Sequence, residues 1–64
     1  MITPREREII QLAAEGCSTK VIAKTLNLSD KTVEAHRGNV YQKLGINNLA
    51  DLTRYAIREG ISSL

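Results

Sequence analysis

The stretch STKVIAKTLNLSDKTVEAHR, residues 18–37, reads as two short helices joined by a tight turn. Ile22, Leu26, Leu28 and Val33 supply the apolar contacts between two crossing helices, and Ala23 is small where their backbones approach. Asn27 falls where the chain reverses. Such turns often need a positive φ, which Gly adopts freely and Asn tolerates next best. Ser29 stands one residue ahead of the next helical run, where its hydroxyl can accept a backbone N–H as an N-cap. Each feature is common by itself. In this order they specify a helix-turn-helix over about residues 17–37, and the second helix of such a pair presents an outward face suited to a DNA groove.

The flanking sequence extends this unit to four helices, at about 4–15, 19–26, 30–44 and 49–59, with no strand alternation, so the fold is expected to be all-α. Thr3-Pro4-Arg5-Glu6 offers an N-cap, a proline at the first helical position and a glutamate three residues after the cap, which is a capping box. Ile9, Ile10, Leu12 and Ala13 follow at helical spacing, and Gly16 stops the run. Ser18 caps the second helix and Ser29 the third, which stops at Gly45. Asn48 with Asp51 caps the fourth, which ends near Gly60.

Sixty-four residues make one domain, spanning 1–64, that buries only about 60% of its unfolded surface. A single cysteine, Cys17, excludes an internal disulfide framework and suits a reducing cytoplasm. No apolar run approaches the roughly twenty residues of a membrane span, and no secretory signal opens the chain. With neither Trp nor Phe present, the core falls to Ile, Leu, Val and Ala, and stacking on unpaired bases is disfavoured. Charge is uneven. Residues 1–15 hold two Arg against three Glu, a balance of −1; residues 16–44 hold five basic against two acidic groups, giving +3; residues 45–64 balance at zero. The excess lies on the helix-turn-helix, where a phosphate backbone would run.

The third helix divides cleanly. At about 100° per residue, Val33, Val40 and Leu44 share a narrow arc that must face the core. Lys31, Ala35, Gly38 and Gln42 lie opposite, with Glu34 and Asn39 at the margins. Solvent faces usually collect good helix formers, whereas Gly in a helix interior costs about 1 kcal/mol against Ala. Two small residues on an exposed face let the helix axis approach a groove floor. On that reading Lys31 donates to guanine, Glu34 accepts from a cytosine amino group, Ala35 touches a thymine methyl, and Gly38 permits close approach. Phosphate contacts fall to Ser18, Thr19 and Lys20 at the start of the second helix, and to Thr32, Arg37 and Lys43 beside the third. Simple capping is the alternative for Ser18, and a solvated helix-end charge the alternative for Lys43.

The lone His36 and Cys17 do not suffice for a structural zinc site, which takes four ligands. No phosphate-cradling glycine loop or carboxylate pair points to an enzyme, and no metal or cofactor is expected. His36 reads as a half-buried packing or hydrogen-bonding residue, and Cys17 as a small residue in the interhelix turn. In the fourth helix Leu49, Leu52 and Ala56 should face the domain. Ala50, Thr53 and Ile57 form a second strip suited to weak self-association, unless Ile57 packs under Ile61 and Leu64.

The runs TPRERE at 3–8, S-x-K-x-IA-x-x-L at 18–26, LS-x-KTV-x-x-H at 28–36 and N-x-x-x-KLG at 39–45 resemble the LuxR-type DNA-binding domain. Together with the tail NLADLTRYAIREGI at 48–61, they make the chain similar to the output domains of NarL/FixJ-type response regulators. The resemblance implies a four-helix domain that binds double-stranded DNA through its third helix and dimerises through its fourth. It also gives His36 a phosphate contact as a second role. Two copies related by a two-fold axis through the Ala50, Thr53 and Ile57 strip would call for an inverted-repeat operator, and RNA polymerase is a candidate partner. Many relatives carry Lys at the position of Glu34 and Arg at that of Leu49. The absence of a linker before Thr3 fits an output domain cut from a longer regulator. Two other classes remain open on the residues alone: a protein-binding adaptor, favoured by Glu34 and the small net charge, and a binder of structured RNA.

Overall fold

The computed structural model describes residues 1–63. Four helices follow in order: α1 (Pro4–Ala14), α2 (Thr19–Leu26), α3 (Asp30–Leu44) and α4 (Leu49–Arg58). The described residues contain no strand, so the fold is all-α, as expected. Each helix starts on a residue with extended backbone whose side chain accepts an otherwise unpaired N–H: Thr3, Ser18, Ser29 and Asn48. At the first of these the capping box is complete. Glu6 N–H donates to Thr3 Oγ1 at 3.1 Å, and Thr3 N–H donates to Glu6 Oε1 at 2.9 Å.

The helices also end alike. In each, an N–H two or three residues past the helix reaches back to an otherwise orphaned carbonyl: Cys17 to Leu12, Leu28 to Ala23, Ile46 to Tyr41 and Ile61 to Ala56. The left-handed residue this reversal needs is glycine at three ends and Asn27, with φ 59°, at the fourth. The donor of each closing bond belongs to, or packs against, the hydrophobic core. Every helix stop therefore directs an apolar side chain inward.

The core gathers Ile9, Ile10, Ala13 and Ala14 of α1, Ile22 and Ala23 of α2, Val33 and Val40 of α3, Leu52 and Ala56 of α4, and Ile61. Helix α1 touches the other three helices, and α2 packs across α3. Leu49 departs from the packing expected of α4. Leu49 does not face the domain but is 45% exposed. It opens the first turn of α4, beyond the stretch where Leu52 and Ala56 are covered. Ile57 is likewise 45% exposed, while Ile61 is buried; the proposed contact of Ile57 with Leu64 lies outside the described residues.

Glu6 does more than cap. The residue is 3% exposed, and its carboxylate receives the Lys43 ammonium at 2.9 and 3.0 Å on its two oxygens. Lys43 also donates to the Met1 carbonyl at 3.0 Å. The start of α1 is thereby tied to the last turn of α3. The hydrogen bond from Thr3 N–H, then that from Lys43, hold the Glu6 carboxyl below the usual carboxylate range, against the opposing effect of burial.

Candidate nucleic-acid interface

Helix α3 is long for so small a domain, at 15 residues, and only one side of it is buried. Val33 and Val40 are fully covered. Lys31, Glu34, Ala35, Gly38, Asn39 and Gln42 are all exposed. The separation of faces follows from helical spacing against a core supplied by α1 and α2. Gly38 is informative because nothing inside the domain explains it. A Cβ built there meets no atom within 4 Å, so neither packing nor turn geometry calls for glycine in the middle of this helix.

The polar residues around this face are partly engaged with one another. Ser18 Oγ accepts the Val21 N–H at 3.3 Å, which leaves its hydroxyl proton available to an external acceptor. Thr32 and Ser29 share a hydrogen bond at 2.8 Å while Ser29 caps α3; one proton of that hydroxyl pair can still point outward. Thr19 differs. Its hydroxyl donates to Glu34 Oε2 at 2.6 Å and accepts from Arg37 Nη1 at 3.4 Å. A threonine hydroxyl has one proton, so in this arrangement Thr19 can offer a phosphate only its backbone N–H. Arg37, half-buried between the helices, reaches Tyr41 Oη with its other nitrogen at 3.5 Å.

Lys43 also has a task the sequence did not disclose. It belongs to the Glu6 pair and stands apart from the cations of the helix-turn-helix. Among the described residues, four of the nine Lys and Arg lie within 4.0 Å of a carboxylate: Arg5, Lys43, Arg54 and Arg58. Among the described residues the other five are unpaired, and Lys20, Lys24, Lys31 and Arg37 of these sit on α2 and α3. The charge balance read from sequence is thus sharpened, because the four cations paired with carboxylates all lie outside residues 17–37.

His36 is half-buried beside the core arc, in keeping with a packing role. Among the described residues no group of three His, Cys, Asp or Glu side chains comes together. On α4, Ala50 and Ile57 are exposed and Thr53 is half-buried, its hydroxyl donating to the Leu49 carbonyl at 2.9 Å. Leu49 joins them within about 100° of helix surface, which the sequence reading missed. Its signal was the position itself: a first-turn residue can lie at the correct angle for the core and yet extend past the partner helix.

A family model described as bacterial regulatory proteins, luxR family, matches residues 1–56. The transcriptional regulatory protein MctR of Rhizobium johnstonii is 50% identical over 62 residues, covering 97% of this chain and 29% of that protein. An uncharacterized response regulatory protein, YgeK of Escherichia coli, is 44% identical over 63 residues, covering 98% and 43%. The transcriptional regulatory protein FixJ of Bradyrhizobium diazoefficiens is 38% identical over 60 residues, covering 94% and 29%. The chain therefore spans less than half the length of these relatives. Among solved structures, the transcription factor GerE superposes with a TM-score of 0.84 at 41% identity, over 95% of this chain and 91% of that one.

Proposed function

The chain belongs to the luxR family of bacterial regulatory proteins, and from that premise we propose that residues 1–64 form a sequence-specific, double-stranded-DNA-binding output domain of a transcription regulator, with its helix-turn-helix over about 17–37. Helix α3 enters the major groove with Lys31, Glu34, Ala35 and Gly38 toward the base edges. Ser18, Lys20, Thr32, Arg37 and the Thr19 N–H hold phosphates. The observation that carries this reading is Gly38, an exposed mid-helix glycine with open space around it, on a helix bordered by unpaired cations. A partner that approaches the α3 backbone closely gives that residue its reason.

The names of the relatives, which include a response regulatory protein, favour a place in a two-component regulator that works in the cytoplasm. Among the described residues no helix is long and apolar enough to cross a membrane. The Leu49, Ala50, Thr53 and Ile57 strip serves weak self-association on an inverted-repeat operator.

The test is the salt dependence of binding to a duplex selected from a random library. Log affinity should fall with log salt by about 0.9 for each phosphate contacted, and a slope near zero on every duplex would exclude DNA binding. Lys20→Ala should weaken all sequences alike and flatten the slope by about one unit. Lys43→Met should leave the slope unchanged, because that ammonium is held by Glu6.

A further inference from the structure

The hydrogen bonds of Thr19 carry a consequence for base recognition. Thr19 is the first residue of α2, and its backbone is fixed by the Ser18 cap. Its hydroxyl proton goes to Glu34 Oε2 at 2.6 Å, a short charge-assisted bond between residues fifteen positions apart. Arg37 Nη1 donates to the same hydroxyl at 3.4 Å, which polarises the O–H toward Glu34. Tyr41 Oη receives the other end of the guanidinium at 3.5 Å. The series Tyr41, Arg37, Thr19, Glu34 thus ends on an exposed carboxylate at the edge of the outer face of α3. Among the described residues, Glu34 Oε1 has no hydrogen-bond partner.

We infer that Thr19 is a positioning residue for base readout: it holds Oε2 of Glu34 so that Oε1 meets the exocyclic amino group of a cytosine. This rests on the DNA-binding reading above and deepens it. An ionised carboxylate only accepts hydrogen bonds, and cytosine N4 is the group in the major groove that glutamate reads. A glutamate on an exposed helix samples many rotamers, and fixing one on binding costs side-chain entropy. The Thr19 bond makes most of that selection in the unbound protein. Arg37 places a positive charge beside the pair, which offsets the repulsion between Glu34 and nearby phosphates.

This role and a Thr19 hydroxyl contact to phosphate have opposite signatures. Loss of a phosphate contact weakens every sequence equally, whereas loss of a positioning bond erodes preference at one base pair. The experiment takes the selected operator and all single-base-pair variants of its half-site. It titrates the wild-type chain, Thr19→Val, Thr19→Ser and Glu34→Ala at two salt concentrations. One position should favour C·G, and Glu34→Ala should level it. Thr19→Val should reduce that preference by at least about fivefold, the low end of the worth of a good base contact, with the salt slope unchanged. Thr19→Ser should keep it. Circular dichroism checks the helices, and Thr19→Ala carries the same comparison should the valine variant lose them. A Thr19→Val or Thr19→Ala chain that keeps wild-type preference at every position, or that loses affinity for all sequences alike, overturns the inference. So does a Glu34→Ala chain with unaltered preferences, in which case DNA binding itself still stands. A wild-type chain that binds no duplex would instead remove the underlying function.

Discussion

At the scale of single residues, Gly38 separates stability from function. With no atom within 4 Å of an added Cβ, Gly38→Ala should stabilise the fold by up to about 1 kcal/mol, read as a raised midpoint in thermal unfolding. Gly38→Glu should fold equally well, yet lose most operator affinity by bringing bulk and negative charge to the groove floor. Operator binding by the glutamate variant at wild-type strength would mean that α3 does not lie in the groove. Glu6 makes a different prediction. Its carboxyl is held below the usual range by Thr3 and Lys43, so folding is favoured by its ionised form. That contribution is complete above roughly pH 4.3, the pKa of an unperturbed Glu, and fades as pH falls through the lower folded value. Lys43→Met leaves a buried acceptor short of its donor and should cost about 1–3 kcal/mol at neutral pH. Denaturant unfolding across pH should show the gap between wild type and variant narrowing below that window.

At the scale of elements, the helix-turn-helix depends on one apolar anchor and one reversed backbone. Val33 is fully buried where α3 crosses the rest of the core. Val33→Ala should destabilise by about 2 kcal/mol through a lost transfer contribution and a cavity. Its binding, measured where the variant is fully folded, should stay near wild type, because the base-facing side of α3 is intact. The turn rests on Asn27 at φ 59°. Asn27→Gly should be tolerated or slightly stabilising, while Asn27→Val, β-branched in the left-handed region, should lower the unfolding midpoint clearly.

At the scale of the molecule, size decides how an operator is read. The domain measures 28 × 23 × 20 Å, whereas half-sites on successive turns of one duplex face lie about 34–36 Å apart. One copy cannot reach both. Two copies related by a two-fold axis through the α4 strip could, which predicts an inverted repeat bound cooperatively at concentrations where the chain alone is monomeric. Ile57→Asp buries an unpaired charge in that contact. It should abolish cooperativity on the full repeat while sparing half-site affinity. Leu49→Asp should do the same, and its folding is protected because an acidic residue suits the first turn of a helix. Paired titrations on half-site and full-site duplexes give the result. Unchanged cooperativity in both folded variants would place the dimer contact elsewhere.

The sequence determined what is local. Helix starts follow from single side chains that accept an N–H, as at Thr3, Ser18, Ser29 and Asn48. Helix stops follow from residues that enter the left-handed region, Asn27 among them. The buried and outward faces of α3 follow from the angle between successive residues, so Val33 and Gly38 were legible before any packing was known. Only the tertiary structure decided what depends on which helix ends meet. Glu6 looked like a cap alone until the fold brought it Lys43, a residue 37 positions away, and removed that lysine from the cations available to a phosphate. Thr19 and Glu34 were separate assignments until α2 and α3 crossed and gave them one hydrogen bond. Leu49 sat at a core angle but past the end of its cover. Helical spacing fixes direction around an axis, whereas burial and pairing also require a partner at the same height along it, and that coordinate exists only after the helices have packed.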